Sequence, residues 1–172
     1  PVLYLLHGQS YNKDQWLRLG LVDRMDNLIA VGEIEPFIIV LPQEAPTEPP
    51  QISKYPELLI EELIPRIDDQ FATRPEKAFR GLGGLSRGAA WAIQIGFENP
   101  ALFCCIGGHS LPLFQADGGK ITGWLTQTPI EDLPRVFIDI GRSDQEKQTA
   151  QNFANQLDAA HVPHEWYLFR YS

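Results

Sequence analysis

Cysteine is almost absent from this chain. There are two, Cys104 and Cys105, and they are neighbours. Adjacent cysteines cannot build a disulfide framework, so the run FCCIGG reads as a buried strand rather than a cross-linked segment. Basic charge is scarce as well: 14 Lys and Arg stand against 22 Asp and Glu, a formal net charge of -8. A surface that binds nucleic acid needs clustered cations, so that class of partner is excluded. No apolar run approaches the ~20 residues that span a bilayer. Neither a P-loop nor a dinucleotide fingerprint occurs, and no cofactor is implied. His161 and His164 have H-x-x-H spacing but lack a third ligand, so no metal site is expected. Internal repeats, low-complexity tracts and interdomain linkers are also missing.

What remains is the composition of a single globular domain: 172 residues, 44% hydrophobic and 21% charged. Short apolar runs at 2–6, 37–41, 78–82, 102–108, 136–141 and 164–169 predict strands. Between them lie helical patterns at 23–31, 57–71, 87–99 and 145–160. Leu59, Leu63, Ile67 and Phe71 recur every four residues, although Pro65 should kink that helix or start a new segment. Ala150, Phe153, Ala154 and Leu157 form an i, i+3, i+4, i+7 stripe. Strands alternating with helices imply an α/β fold with a mostly parallel sheet and helices on both faces. The chain opens inside a strand at Val2 and stops just after another, the pattern of a domain cut at both ends.

The most informative stretch is GLGGLSRGAA, from Gly81 to Ala90. It holds the G-x-S-x-G spacing in Gly84, Ser86 and Gly88, between a strand and a helix. A serine at the tip of a sharp strand-to-helix turn has a strained backbone, and the residues two before and two after it approach too closely for side chains. Such a turn lifts the Ser86 hydroxyl into a cleft at the carboxyl end of the sheet. It also sets the Arg87 N–H at a helix N-terminus, where it can stabilise an oxyanion. Ala89, Ala90 and Ala92 would let that helix pack close to the strands. The run LLHG at 5–8 ends the first strand, which makes the Gln9 N–H the second oxyanion donor. His7 reads as a histidine fixed by hydrogen bonds to shape that loop.

LLHG, FIIVLP, EELIP, GLSRGA, DIGRSD and VPHEWYLF follow one another along the chain. In this order they resemble the putative-esterase family of α/β-hydrolases, which includes esterase D, feruloyl esterases and enterochelin esterases. Ala89 stands where that family often has a second glycine. The resemblance implies a Ser-His-Asp triad and hydrolysis of a small-molecule carboxylic ester through an acyl-enzyme. The acid is Asp144 or Asp139. Asp144 lies in the loop beyond the strand and matches the family's acid, whereas Asp139 lies within the strand and reads as a brace for the loop. The base should be a histidine after the last strand, in a Gly-Gly-His segment, just beyond Ser172. His109 follows a strand on the correct side of the sheet and could line the pocket; Trp124 could belong to a lid or acyl pocket, and equally to the core. Asp14, Gln15 and Trp16 could edge the cleft. Two rival readings are an acyltransferase using the same triad and a non-catalytic binding domain of hydrolase descent.

Overall fold

The computed structural model describes residues 1–45 and 48–170. Six strands form one sheet: β1 (Val2–Leu6), β2 (Ile38–Val40), β3 (Arg80–Leu85), β4 (Cys105–His109), β5 (Arg135–Gly141) and β6 (His164–Phe169). Their order is β2-β1-β3-β4-β5-β6 and each neighbouring pair is parallel. Parallel pairing follows from the sequence pattern, because each apolar strand is followed by a segment long enough to cross back over the sheet.

The strand order fixes where a ligand can sit. The chain leaves β1 to one side to make β2, then crosses to the other side of β1 for β3 and continues outward. The segments that follow β1 and β3 therefore diverge, and a crevice opens outside the carboxyl ends of these two strands. Leu6 and Gly84 are register partners there. LLHG and the glycine-rich turn thus come together although nearly 80 residues separate them.

The helices are α1 (Gln15–Arg18), α2 (Leu21–Ala30), α3 (Tyr55–Glu57), α4 (Ile64–Gln70), α5 (Arg87–Glu98), α6 (Ile121–Gln127) and α7 (Lys147–Ala159). α5 and α7 cover one face of the sheet. There Val2, Tyr4, Leu6, Leu82, Ile106, Val136, Ile138 and Ile140 are all buried. α5 lies very close to the strands: a Cβ on Gly96 would stand 2.4 Å from Ile106 Cγ2. Ala89, Ala90 and Ala92 are fully buried along it, as small residues at a tight contact should be. The stripe on α7 also faces inward, with Ala150, Phe153, Ala154 and Leu157 all buried. Phe153 meets Phe97 edge-on, with ring centroids 6.0 Å apart. Phe153→Ala should therefore cost ~3–5 kcal/mol of stability, read from the urea unfolding midpoint, with a smaller loss if the core closes over the cavity.

Several sequence expectations need correction. The strand placed at 37–41 shrinks to Ile38–Val40 and is only half-buried, because it is the edge of the sheet. The strand placed at 78–82 begins at Arg80 and runs through three glycines to Leu85, with a 3₁₀ turn at Lys77–Phe79 before it. Glycine is unfavourable in a strand by propensity, but here β1 and β4 hold it on both sides. The helix placed at 57–71 is interrupted by a π-helical turn, Leu58–Leu63, and restarts as α4 with Pro65 in its first turn. The wider turn inserts a residue, so the buried positions run from Leu59 to Ile64, five apart. The four-residue spacing then loses phase, and Phe71 ends 52% exposed in extended backbone beyond the helix. Among the described residues, the second face of the sheet is covered by α1 and α2, over Leu3 and Leu5. Over β4–β6 it is open, and Cys105, Arg135, Glu165, Tyr167 and Phe169 are exposed. Cys105 is thus not buried as the apolar run suggested, and Cys104 and Cys105 are both free thiols. Among the described residues, no helix is long and apolar enough to cross a membrane.

Candidate active site

β3 runs directly into Ser86, and α5 begins at the next residue. Ser86 has φ 53° and ψ -119°, a conformation that side-chain-bearing residues rarely adopt and that costs of order 1–3 kcal/mol. Its surroundings enforce it. The Ser86 N–H donates to the His109 carbonyl at 2.9 Å, and the Ser86 carbonyl accepts from the Ala90 N–H at 3.0 Å. The glycines on either side have no room for a side chain. A Cβ on Gly84 would sit 2.2 Å from the Gly88 carbonyl carbon, and one on Gly88 would sit 2.5 Å from the Leu6 carbonyl oxygen. The spacing in the sequence is therefore a steric requirement at both positions. Ser86 itself is half-buried at the N-terminus of the twelve-residue α5, where unpaired N–H groups and the helix dipole favour negative charge.

The turn after β1 lies against this serine. A Cβ on Gly8 would be 3.6 Å from Ser86 Cβ and 3.3 Å from the Leu85 carbonyl oxygen. The Gly8 N–H donates to Gln15 Oε1 at 2.7 Å, and Gln15 is buried. Trp16 Nε1–H donates to the Leu6 carbonyl at 3.1 Å, so α1 is tied to the end of β1 by two side chains. Gln9 follows Gly8 and is exposed. His7 is buried and shapes the turn as its sequence context indicates. Its Nδ1 lies 2.9 Å from the Gly8 carbonyl oxygen, and its Nε2 accepts the Glu44 N–H at 3.0 Å. This pattern fits one neutral tautomer, with the proton on Nδ1.

The Arg87 side chain makes contacts that its sequence position did not disclose. Its buried guanidinium pairs with the buried carboxylate of Glu44: Nε is 2.9 Å from both oxygens and Nη2 is 2.5 Å from Oε1. Nη2 also donates to the Glu48 carbonyl at 2.7 Å. Trp91 and Phe114 flank the guanidinium, with ring centroids 5.7 and 5.8 Å from its central carbon. Burial, and then the nearby charge of Glu44, push the Tyr55 phenol well above its ordinary range, so Tyr55 stays protonated beside the pair.

Asp144 lies in the loop after β5 and is half-buried. The Ser110 hydroxyl donates to its Oδ2, and the Glu146 N–H donates to its Oδ1 at 2.8 Å. Ser110 adopts φ 50°, just beyond the end of β4. Asp139 does not brace the loop through its side chain. It is the register partner of His109, and the two side chains meet at 2.5 Å between Oδ2 and Nδ1. His109 also stands edge-on to Trp16, with centroids 5.5 Å apart. A cleft of about 500 Å³ brings these groups together, lined by Trp16, Leu19, Leu85, His109, Asp139, Asp144 and Phe169 among others. Its apolar walls can take a flat hydrophobic group, and the imidazole and two carboxylates supply polar contacts.

The other candidates lie elsewhere. Trp124 does not line this cleft; it is buried in α6, stacked on Phe97 at 5.8 Å. Its neighbours are core residues, so its size is used for packing. His161 is exposed at the end of α7, where its N–H caps the Asp158 carbonyl at 3.0 Å. His164 begins β6, at the opposite end from the cleft. Asp14 is half-exposed and 4.0 Å from Lys13, a solvated pair. Among the described residues, no group of three or more His, Cys, Asp or Glu is placed to hold a metal ion. The sequence reading missed Glu44, Ser110 and the anchoring role of Gln15. Glu44 had a weak signal: a carboxylate shortly after the apolar run 37–41, at the start of a proline-rich loop.

Residues 1–167 match the family model described as "Putative esterase". A curated relative from Xylanibacter ruminicola, named endo-1,4-beta-xylanase/feruloyl esterase, is 37% identical over 113 residues, 60% of this chain and 15% of that protein. The chain therefore spans a small part of that relative's length. A solved ferulic acid esterase superposes with a TM-score of 0.81 at 25% identity, covering 98% of this chain and 76% of that one. A ferulic acid esterase of Anaeromyces mucronatus, solved with ferulic acid, gives 0.78 at 20% identity over 98% and 70% of the two chains. An S-formylglutathione hydrolase of Staphylococcus aureus gives 0.75 at 17% identity over 97% and 75%. These last two likenesses establish the α/β-hydrolase fold.

Proposed function

The chain belongs to the putative-esterase family, and from that premise we propose that it hydrolyses a small-molecule carboxylic ester with Ser86 as nucleophile. The observation that carries this reading is the backbone of Ser86, held at φ 53° between two glycines that cannot accept a Cβ. Strain of this kind persists only where the surrounding structure enforces it, and it presents one hydroxyl at the crevice between β1 and β3.

The proposed cycle has two halves. Ser86 Oγ attacks the acyl carbon while its proton passes to a histidine. The carbonyl oxygen becomes an oxyanion held by the N–H groups of Gln9 and Arg87, each donor contributing ~3 kcal/mol in comparable sites. The C–O bond to the alcohol breaks, and the alcohol leaves with the proton from the histidine. Water then attacks the acyl-enzyme by the same route and releases the carboxylic acid and free Ser86. Asp144 orients the imidazole and stabilises its charged form. Its oxygens each accept one bond already, from Ser110 and Glu146, which fixes the carboxylate while leaving lone pairs for the imidazole N–H. The histidine is assigned to the chain following β6, which preserves the order Ser, Asp, His. His109, whose Nδ1 meets Asp139 as a triad base meets its acid, is the weaker choice because it precedes Asp144 and breaks that order.

The apolar cleft with Trp16, Leu85 and Phe169 suits an aromatic acyl group, and the relatives' names point to hydroxycinnamoyl esters. Methyl ferulate and methyl acetate, offered to the full-length protein, test this directly. Faster turnover of the aromatic ester, with the acyl mass trapped on the Ser86 peptide, is the expected result. Asp144→Asn should lower kcat by ~10⁴ with little change in KM. Turnover that survives Asp144→Asn would move the acid to another carboxylate, Asp139 first.

A further inference from the structure

The two oxyanion donors of the proposed mechanism must be held in one geometry. They come from different segments, Gln9 from the turn after β1 and Arg87 from the start of α5. We infer that Glu44 is a positioning residue that locks both donor segments together. This rests on the proposed esterase reading for its catalytic meaning.

Glu44 reaches the two segments through different groups. Its backbone N–H donates to His7 Nε2 at 3.0 Å, and His7 Nδ1 in turn lies 2.9 Å from the Gly8 carbonyl. That carbonyl belongs to the same peptide unit as the Gln9 N–H. An N–H and a C=O of one peptide plane cannot be rotated independently, so fixing the Gly8 oxygen fixes the direction of the Gln9 donor. The Glu44 side chain holds the other segment by its paired contacts to the Arg87 guanidinium. A two-pronged contact fixes orientation as well as position, and both partners are buried, so neither can be exchanged for water. Gln43 reinforces the arrangement: its Nε2–H donates to the Glu44 carbonyl at 2.7 Å, and its Oε1 accepts the Lys13 N–H at 3.0 Å. One dipeptide after β2 therefore grips the turn after β1 and the helix that carries the nucleophile's neighbour.

A charge pair could instead serve only to neutralise a buried arginine, and the two roles separate experimentally. In the full-length protein, Glu44→Gln keeps the size of the side chain but removes the charge and one acceptor. It should lower kcat by ~10-fold with KM nearly unchanged, since misplaced donors cost only in the transition state. Amide hydrogen exchange at Arg87 should quicken by about the same factor, with a smaller rise at Gln9, whose link runs through the Glu44 backbone N–H that the substitution keeps, and this readout needs no turnover. The double variant Glu44→Leu/Arg87→Met replaces both charges by apolar groups and should recover Tm, as buried pairs replaced together often do. If kcat stays low while Tm recovers, positioning is the role. If kcat recovers with Tm, or if Glu44→Gln leaves kcat and both exchange rates unchanged, the pair is structural and the inference fails. The esterase reading stands or falls separately, on whether Ser86→Ala abolishes turnover in the otherwise native protein.

Discussion

Ser86→Ala in the full-length protein should reduce kcat for an activated ester such as p-nitrophenyl acetate by as much as ~10⁶, leaving only what the oxyanion donors contribute. The size follows from the chemistry. A serine hydroxyl is almost wholly protonated at neutral pH and attacks only when a base removes its proton as the bond forms. Nucleophile, base and acid act as a unit, so losing one forfeits most of what all three provide. The fold should survive, since Ser86 anchors the turn through its backbone: its N–H and carbonyl are bonded to His109 and Ala90. Circular dichroism and Tm close to wild type, with turnover lost, are the expected pair of results. Turnover that persists in Ser86→Ala would end the serine mechanism. The base is needed for the same reason. Residues 1–172 by themselves should turn over esters slowly, because none of His7, His161 and His164 stands where a triad base is needed. A chain that carries a histidine after β6 should be fast. Robust turnover by residues 1–172 that His109→Ala abolishes would instead make the His109–Asp139 pair the base, and the C-terminal assignment would be wrong.

The second large effect is on both stability and rate. Gly88→Ala adds one methyl group, which would lie 2.5 Å from the Leu6 carbonyl oxygen and 2.6 Å from that of His7. Both obstacles are backbone of β1 and the residue after it, so no side chain can swing aside. α5 must move away from β1 by a distance on the order of 1 Å. Overpacking of this kind costs about 1–3 kcal/mol or more. The shift also carries the Arg87 N–H away from the Gln9 N–H, and misplacement on that scale can cost ~10² in rate. A drop in Tm together with a fall in kcat is expected. Gly119→Ala is the matched control: nothing lies within 4 Å of its added Cβ. Its effect should stay within about 0.5 kcal/mol, as for other open surface sites. A Gly88→Ala variant as stable and active as this control would show that the turn tolerates a side chain and that the steric account is mistaken.

Much of the architecture could be read from sequence because it depends on local pattern. Apolar runs of about five residues, separated by helical periodicity, gave six strands and the parallel sheet. The strand-to-helix turn at Ser86 was legible for a similar reason. Two glycines flanking Ser86 at a fixed spacing record a backbone conformation, and conformation is a local property of a few residues. The α7 stripe was equally plain, with one residue in three or four turned to the core. Local pattern failed where a neighbour decided the outcome. β2 reads as a buried strand, yet only its place at the sheet edge sets its half-exposure. The π-turn at Leu58–Leu63 shifts the phase of the helix before Pro65, and a four-residue spacing cannot anticipate an inserted residue.

The site divides along the same line. Sequence by itself marked out the turn at Ser86, the loop carboxylate Asp144 and the two segments that carry Gln9 and Arg87, because each lies at the end of a strand that its own residues define. Only tertiary structure decided which side chains meet. Asp139 pairs with His109 through the register of β4 and β5. Ser110 reaches Asp144, and Glu44 reaches Arg87 across 43 positions of chain. Trp124 looked equally suited to pocket or core, and its stacking on Phe97 put it in the core. The reason is physical: a strained turn is written in the few residues that form it, whereas a buried charge pair exists only once packing has excluded water and brought two distant segments within hydrogen-bond distance.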